Sequence, residues 1–206
     1  MPLNNHIEVI QSYIDKFEYK TYLEIGVKEG TCFFNLKNLD TRVAVDPALI
    51  FKFGWNKLVV EELEKLYNEK IDTVVYPLTS DEYFRVYGGS FDIIFVDGLH
   101  THAQAYRDII NSLEILEEGG TIIVHDTNPK SEKTASPTPT DGSWSGDVWK
   151  AIVQLRVERD DISVKTYNIE DGVTIIQKDK AEKLDPKYLN IDYKQFEVEK
   201  SLLLNI

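Results

Sequence analysis

Residues 91–126 read FDIIFVDGLHTHAQAYRDIINSLEILEEGGTIIVHD, and this stretch decides the fold. Phe91 to Val96 and Thr121 to Val124 are short apolar runs rich in β-branched residues, as strands buried on both faces of a parallel sheet should be. Between them Thr101 and Gln104 have capping-box spacing, and Tyr106, Ile109, Ile110, Leu113 and Leu116 recur at helical spacing. Gly119 and Gly120 are expected to stop that helix. The whole is one βαβ unit. In such sheets ligands sit beyond the carboxyl ends of the strands, where this chain places Asp97, His100, His125 and Asp126.

Working outward, the 206 residues suit one well-cored domain spanning 1–206, with 42% hydrophobic and 28% charged residues in the ordinary globular range. With 23 basic and 35 acidic side chains the net charge is −12. That balance argues against a nucleic-acid backbone or an anionic membrane as partner. The single Cys32 excludes an internal disulfide, and no early run reads as a signal peptide or a membrane span. A reducing compartment, the cytoplasm, is the expectation.

Upstream, residues 4–17 carry Ile7, Ile10, Ile14 and Phe17 at amphipathic spacing, predicting a helix over one sheet edge. A strand over Thr21 to Ile25 runs into YLEIGVKEGT, where Glu24, Gly26 and Gly30 surround a tight turn before a helix near Thr31. Glycines let the backbone approach a ligand, and a helix start offers free N–H groups. About 20 residues past Gly26 the strand RVAVDP ends in Asp46, where a carboxylate suits a ribose diol. Residues 47–70 read as a loop with Phe51, Phe53 and Trp55, then a charged helix with Val59, Leu63 and Leu66 on one side. The strand DTVVYPL follows, with Ser80 and Asp81 at its end in TSDEYF.

Downstream, 127–145 is rich in Pro, Ser and Thr, and a long loop leaving directly from His125-Asp126 reads as a substrate lid. Asp147 is placed to cap the helix VWKAIVQLRVE. ISVKTYNI and GVTIIQK, separated by Glu170-Asp171-Gly172, predict an antiparallel hairpin closing the sheet. A tail over 185–206 ends in a helix that packs on the domain or on a second copy, which leaves a homo-oligomer open. Strand and helix alternate, so the expected class is α/β, a Rossmann-like doubly wound sheet, mostly parallel with a C-terminal antiparallel strand and helices on both faces.

Taken together, LEIGVKEGT, AVDP, TSDEYF, FVDGLHTHAQAYRDI, GGTIIVHD and GDVWKAI resemble a class I S-adenosylmethionine-dependent methyltransferase over roughly residues 20–178. Within that superfamily they look most like the branch of macrocin-type sugar and natural-product O-methyltransferases. The resemblance implies a seven-stranded sheet with one antiparallel strand. It implies S-adenosylmethionine held by Glu24, Gly26 and Gly30, by Asp46 at the ribose, by Ser80 and Asp81 at the adenine, and by Asp97. In metal-dependent members, the positions of Asp97, His125 and Asp126 hold a divalent cation such as Mg²⁺, and that of His100 is a base. His125 stands where the pattern has an acid, which moves the cation toward one that accepts imidazole, such as Mn²⁺, Fe²⁺ or Zn²⁺. Lys28 replaces a common middle glycine.

Methyl transfer from a sulfonium is an in-line displacement, so aligning a hydroxylated small-molecule acceptor and removing its proton are the tasks left to the protein. A cation held by Asp97 and Asp126 would lower the hydroxyl's pKa and orient it, and His100, neutral near pH 7, would take the proton. Trp144 is placed to line the acceptor pocket, whereas Trp149 reads as a helix-interface residue. Three rivals share these residues. An NAD-linked oxidoreductase needs a Gly-x-Gly-x-x-Gly turn that Val27 and Lys28 break; a metal-dependent hydrolase would use the Asp97/His100/His125/Asp126 cluster; a cofactor-binding subunit would bind without turnover.

Overall fold

The computed structural model describes residues 3–48, 65, 66 and 68–206, so the expected aromatic loop at Phe51, Phe53 and Trp55 and the helical positions Val59 and Leu63 lie outside the described residues. Seven strands form one sheet: β1 (Thr21–Ile25), β2 (Thr41–Val45), β3 (Asp72–Tyr76), β4 (Phe91–Val96), β5 (Leu116–Val124), β6 (Ser163–Tyr167) and β7 (Val173–Gln177). Their order is β3-β2-β1-β4-β5-β7-β6. The first five run parallel, and β7 lies antiparallel to both β5 and β6. The expected α/β sheet with one reversed strand is therefore present. The chain reverses its winding beside β1 and β4, and a sheet of this kind opens its crevice at that switch.

Alternation along each strand feeds two cores. Leu23 and Ile25 of β1, Ile94 and Val96 of β4, and Ile122 and Val124 of β5 face one side. There they meet α4 (His102–Glu114), α5 (Val148–Glu158) and α6 (Tyr193–Leu204). Tyr22, Ile93, Phe95 and Ile123 face the other side, against α1 (His6–Phe17) and α2 (Thr31–Asn35). Helix α1 buries Val9, Ile10 and Ile14 in that second core, so it lies on a face of the sheet and not along an edge as its amphipathic spacing suggested. Helix α6 packs on its own domain, with the Phe196 ring tilted against Trp149 at 4.3 Å, and Trp149 is buried in the helix interface as expected.

Two local readings of the decisive stretch change. Helix α4 ends at Ile115, and β5 begins at once with Leu116, so Gly119 and Gly120 lie inside the strand instead of ending the helix. Phe91 pairs with Leu116 but Ile93 with Thr121, an irregularity that the glycines allow. Gly119 sits at φ +78, and a Cβ on Gly120 would come within 2.8 Å of the Asp92 carbonyl.

The second change concerns caps. Thr101 occupies the N-cap position of α4 but makes no side-chain cap, and Gln104 reaches to α3 (Ser80–Val86) instead. The Asp147 carboxylate, expected to cap α5, accepts from the His102 backbone N–H at 2.7 Å and so serves α4 from across the helix pair. Asp147→Ala should lower the free energy of unfolding by about 1–2 kcal/mol, and Thr101→Ala by less than about 0.5 kcal/mol. Urea unfolding of both variants checks this, and equal losses would remove the crossed cap.

Candidate active site

The carboxyl ends of β1, β2, β4 and β5 enclose a cleft of about 760 Å³, within the range of small-molecule sites. Its first wall is the turn after β1. Gly26 sits at φ +86, and a Cβ there would lie 2.1 Å from the Asp97 carbonyl oxygen. Only glycine fits, because the ends of β1 and β4 are clasped by Asp97 N–H to Ile25 carbonyl at 2.8 Å. Lys28, where a glycine is common in the resembled pattern, accepts a left-handed φ of 49.

Asp46 explains that turn. Its carboxylate accepts from the Val27 and Lys28 backbone N–H groups at 2.9 and 2.8 Å, and from Ala48 N–H at 2.7 Å. A carboxylate has about four acceptor positions, so roughly one is left for a ribose hydroxyl. The residue expected only to bind a diol also holds the glycine turn in shape. Glu24 lies buried at the cleft floor with the Tyr22 hydroxyl donating to it. Burial pushes its carboxyl up to about 8, more than the Tyr22 bond draws it back, so Glu24 is predominantly neutral at pH 7. Gly30 does not wall the cleft. It precedes α2 at φ +80, where a Cβ would meet the Phe34 ring at 2.5 Å, so its part is the turn alone.

Ser80 and Asp81 wall the opposite side from the first turn of α3, which Thr79 and Glu82 cap. Gln104 of α4 donates to both at 3.1 Å, and Arg107 pairs with Asp81 at 3.3 Å. The two side chains are thereby fixed at the cleft entrance.

The third wall carries the charge. His100 Nε2 lies 3.5 Å from Asp97 Oδ1, and its Nδ1 3.2 Å from Asp126 Oδ2 and 2.9 Å from the Trp144 carbonyl. A carbonyl only accepts, so Nδ1 carries a proton and Nε2 is left facing a carboxylate. Burial alone would lower the pKa of His100, but Asp97 and Asp126 outweigh it and raise it to about 9. His100 is thus protonated near pH 7 in this arrangement, not neutral as its ordinary pKa suggested. His125 lies 3.4 Å from Asp97 and 3.6 Å from Asp126 through Nδ1, and 3.1 Å from Glu170 through Nε2. Burial opposes its charge too, yet the three carboxylates hold it up to about 12. Burial would raise Asp97, but the two imidazoles keep it down at about 2.

Two members of this cluster were not visible in the sequence. His6, the first residue of α1, stacks on Phe95 with ring centres 5.4 Å apart and lies 4.8 Å from the His125 ring. Glu170, in the β6–β7 turn, accepts from both the backbone N–H and Nδ1 of His6 at 3.0 and 2.8 Å. They are 164 residues apart, and only the packing of α1 on the sheet face joins them. His102, by contrast, points away and bonds Gln154 at 2.7 Å.

Asp97, His100 and Asp126 offer ligand atoms that all lie within 4.8 Å of one another, with His125 Nδ1 beside them. Two hard carboxylates on adjacent strand ends, backed by imidazoles, suit a divalent cation. Asp126 takes a left-handed φ of 58 to aim its side chain there. The segment 127–145 folds back on itself beside the cluster: Ser145 and Gly146 N–H groups donate to the Thr134 carbonyl at 3.0 Å, and Trp144 Nε1 to the Ser136 carbonyl at 2.7 Å. The Trp144 ring tilts against His100 at 5.3 Å.

The model of the methyltransferase domain family matches residues 23–127, from β1 to the end of β5. Among curated proteins none matches the chain. Solved structures share the fold at low identity. A methyltransferase of Podospora anserina bound to S-adenosylhomocysteine is 19% identical, with TM-score 0.63 over 87% of this chain and 80% of that one. An O-methyltransferase of Bacillus cereus in complex with S-adenosylhomocysteine is 14% identical, with TM-score 0.56 over 86% and 84%. An rRNA methylase of Streptococcus thermophilus is 11% identical, with TM-score 0.55 over 87% and 100%.

The cluster makes stability depend on pH. His100, raised from 6.5 to about 9, contributes fully below pH 6.5 and loses that contribution as pH rises through 9. Asp97 and Glu170, both lowered to about 2, contribute above their ordinary values of 3.8 and 4.5 and lose it as pH falls toward 2. Glu24, raised from 4.5 to about 8, loses its contribution as pH rises above 4.5, so the urea midpoint should be highest near pH 4.5 and fall toward 9, more steeply above 6.5 where His100 joins it. In His100→Gln the decline over that upper window should be shallower. An unaltered slope would show that His100 does not hold its proton between the two carboxylates.

Proposed function

The chain belongs to the methyltransferase domain family, and from that premise we propose that it transfers the methyl group of S-adenosylmethionine to a hydroxyl of a small acceptor such as a sugar or glycoside. The observation that carries this reading is the single cleft in which the glycine turn and Asp46 open directly onto the Asp97, His100, His125 and Asp126 cluster. A nucleoside held at the first wall would have its reacting end beside the charged third wall. Support for the cofactor comes from the clasped turn, the acceptor position left on Asp46 and a volume that suits a nucleoside. The Podospora and Bacillus proteins of the same fold carry the demethylated product.

In the reaction the acceptor oxygen attacks the methyl carbon, a C–O bond forms, and the S–C bond breaks with its electron pair going to sulfur. The oxygen then loses its proton. Sulfonium charge is favoured beside the carboxylates of Asp97 and Asp126. A divalent cation, when bound by Asp97 and Asp126, would lower the pKa of the acceptor hydroxyl and orient it. His100 accepts a proton only when the negative charge of these carboxylates is matched from elsewhere, because unmatched they keep its ring protonated. The segment 127–145 serves as the lid over the acceptor, with Trp144 offering a flat face.

Net charge of −12 favours a small acceptor over RNA, although an rRNA methylase shares the fold. The buried free Cys32 suits the cytoplasm. Among the described residues no helix is long and apolar enough to cross a membrane.

Calorimetric titration with S-adenosylhomocysteine, with and without Mg²⁺ or Mn²⁺, tests the cofactor before any acceptor is found. The wild type should bind saturably. Asp46→Asn should weaken binding by about tenfold or more, while Asp97→Asn should affect the cation more than the nucleoside. A folded chain that binds cation but no S-adenosylhomocysteine would overturn the reading and favour a metal-dependent hydrolase. Gly26→Ala should destabilise the fold by about 2–3 kcal/mol and abolish nucleoside binding, since its Cβ has no room against Asp97.

A further inference from the structure

We propose that His6, His125 and Glu170 form a second cation site, selective for a borderline transition metal of the Zn²⁺ class and separate from the Asp97–Asp126 carboxylate pair. One ligand atom from each of the three lies within 4.8 Å of the other two. His6 Nδ1 is 2.8 Å and His125 Nε2 3.1 Å from the same Glu170 oxygen. Two donors on one metal with bonds of 2.0–2.1 Å stand about 3.3 Å apart in a tetrahedron, so both imidazole–carboxylate spacings are already within about half an ångström of that value, and the two imidazole nitrogens lie within 4.8 Å of each other. Two imidazoles and one carboxylate prefer Zn²⁺, Fe²⁺ or Co²⁺ to Mg²⁺, which demands oxygen ligands.

The three ligands are held in place before any metal arrives. The His6 ring lies nearly parallel to Phe95, at 9°, and its own backbone N–H ties Glu170 to the start of α1. Glu170 takes a left-handed φ of 52, and the turn that imposes it is locked to the end of β5. There Asn128 N–H donates to the Asp171 carbonyl at 2.7 Å, and a Cβ on Gly172 would strike Asn128 N at 2.4 Å. The other nitrogen of His125 faces Asp97 and Asp126, and an outer carboxylate commonly orients a metal-bound histidine in this way. His6 and His125 both wall the cleft, so a fourth ligand reaches the metal from the cleft side, as in open zinc sites.

The site draws on α1, the end of β5 and the β6–β7 turn, so it exists only in the folded chain, and binding should stabilise that fold. It does not depend on the methyltransferase reading. The test titrates the metal-free wild type, His6→Gln and Glu170→Gln with Co²⁺ and Zn²⁺, following the visible Co²⁺ bands, displacement of Co²⁺ by Zn²⁺, and thermal unfolding with and without metal. With excess Mg²⁺ present to occupy the carboxylate pair, the wild type should still hold one Co²⁺ with the spectrum of a nitrogen-ligated, four- or five-coordinate ion, and it should melt higher with Zn²⁺. Each variant should fold without metal yet bind at least about tenfold more weakly. The proposal is overturned if the wild type binds no Co²⁺, if Mg²⁺ displaces it, or if either variant keeps its affinity within about threefold. The last two results would place the ion on Asp97 and Asp126, and no binding would leave the three residues an ion-pair cluster only. Failure to bind S-adenosylhomocysteine would not bear on this result, so the two readings fall separately.

Discussion

The structure depends on one close approach, that of the turn after β1 to the end of β4. Gly26 lies against the Asp97 carbonyl with no room for a side chain, while Asp97 N–H bonds the last carbonyl of β1. This contact makes one cleft out of two chemistries. The glycine turn and Asp46 belong to the first mononucleotide half of the sheet, and Asp97 with His100 belongs to the next. A wider gap would part the glycine turn and Asp46 from the charged wall, and a reaction that uses both walls tolerates little error in the alignment of its reacting atoms.

Around that contact the backbone is repeatedly held in left-handed conformations by residues that are not glycine. Lys28, Asp126 and Glu170 each have φ near +50 to +58, and each stands at the end of a strand or in a turn beside the cleft. Such conformations cost free energy and persist where the surroundings enforce them. Here the enforcing groups are visible: the Asp46 carboxylate for the turn of Lys28, and the β5 end for the turn of Glu170. The charged cluster has the same character. His125 and His100 are each flanked by carboxylates, so neither side of the pairing is left buried alone, which would be the costly arrangement.

The sheet was legible because its signals are local. Buried parallel strands read as β-branched runs, and the polar residues that end them, Asp46, Asp97 and His125-Asp126, follow without a break in the sequence. The hairpin that reverses β7 was legible from Glu170-Asp171-Gly172. Partner choice was not. Gln104 had the right spacing for a capping box but met Ser80 and Asp81 on α3, and Asp147 capped a neighbour's helix. His6 was invisible for the same reason. Nothing near it in the chain is unusual, and it enters the site only because α1 lies across the face of the sheet. Its one available signal was that the fourth histidine sits at a helix start. The protonation of His100 was also hidden, since it follows from Asp126 and a Trp144 carbonyl that spacing cannot place.

The segment 127–145 is fixed at both ends. At its start Asn128 is tied to Asp171 and Asn168, and at its finish Gly146 fits against the His100 carbonyl, where a Cβ would lie 1.7 Å away. Between them its own turns fold it, Ala135 enters the main hydrophobic core, and the Pro129 carbonyl accepts from the Tyr193 hydroxyl at 3.0 Å. The parts of the segment therefore differ: its ends and Ala135 are built into the packing, while residues 137–139 and 141–143 are exposed turns. Changes of length or composition are cheapest at those exposed turns, because the residues on either side of them are built into the packing of the strand ends.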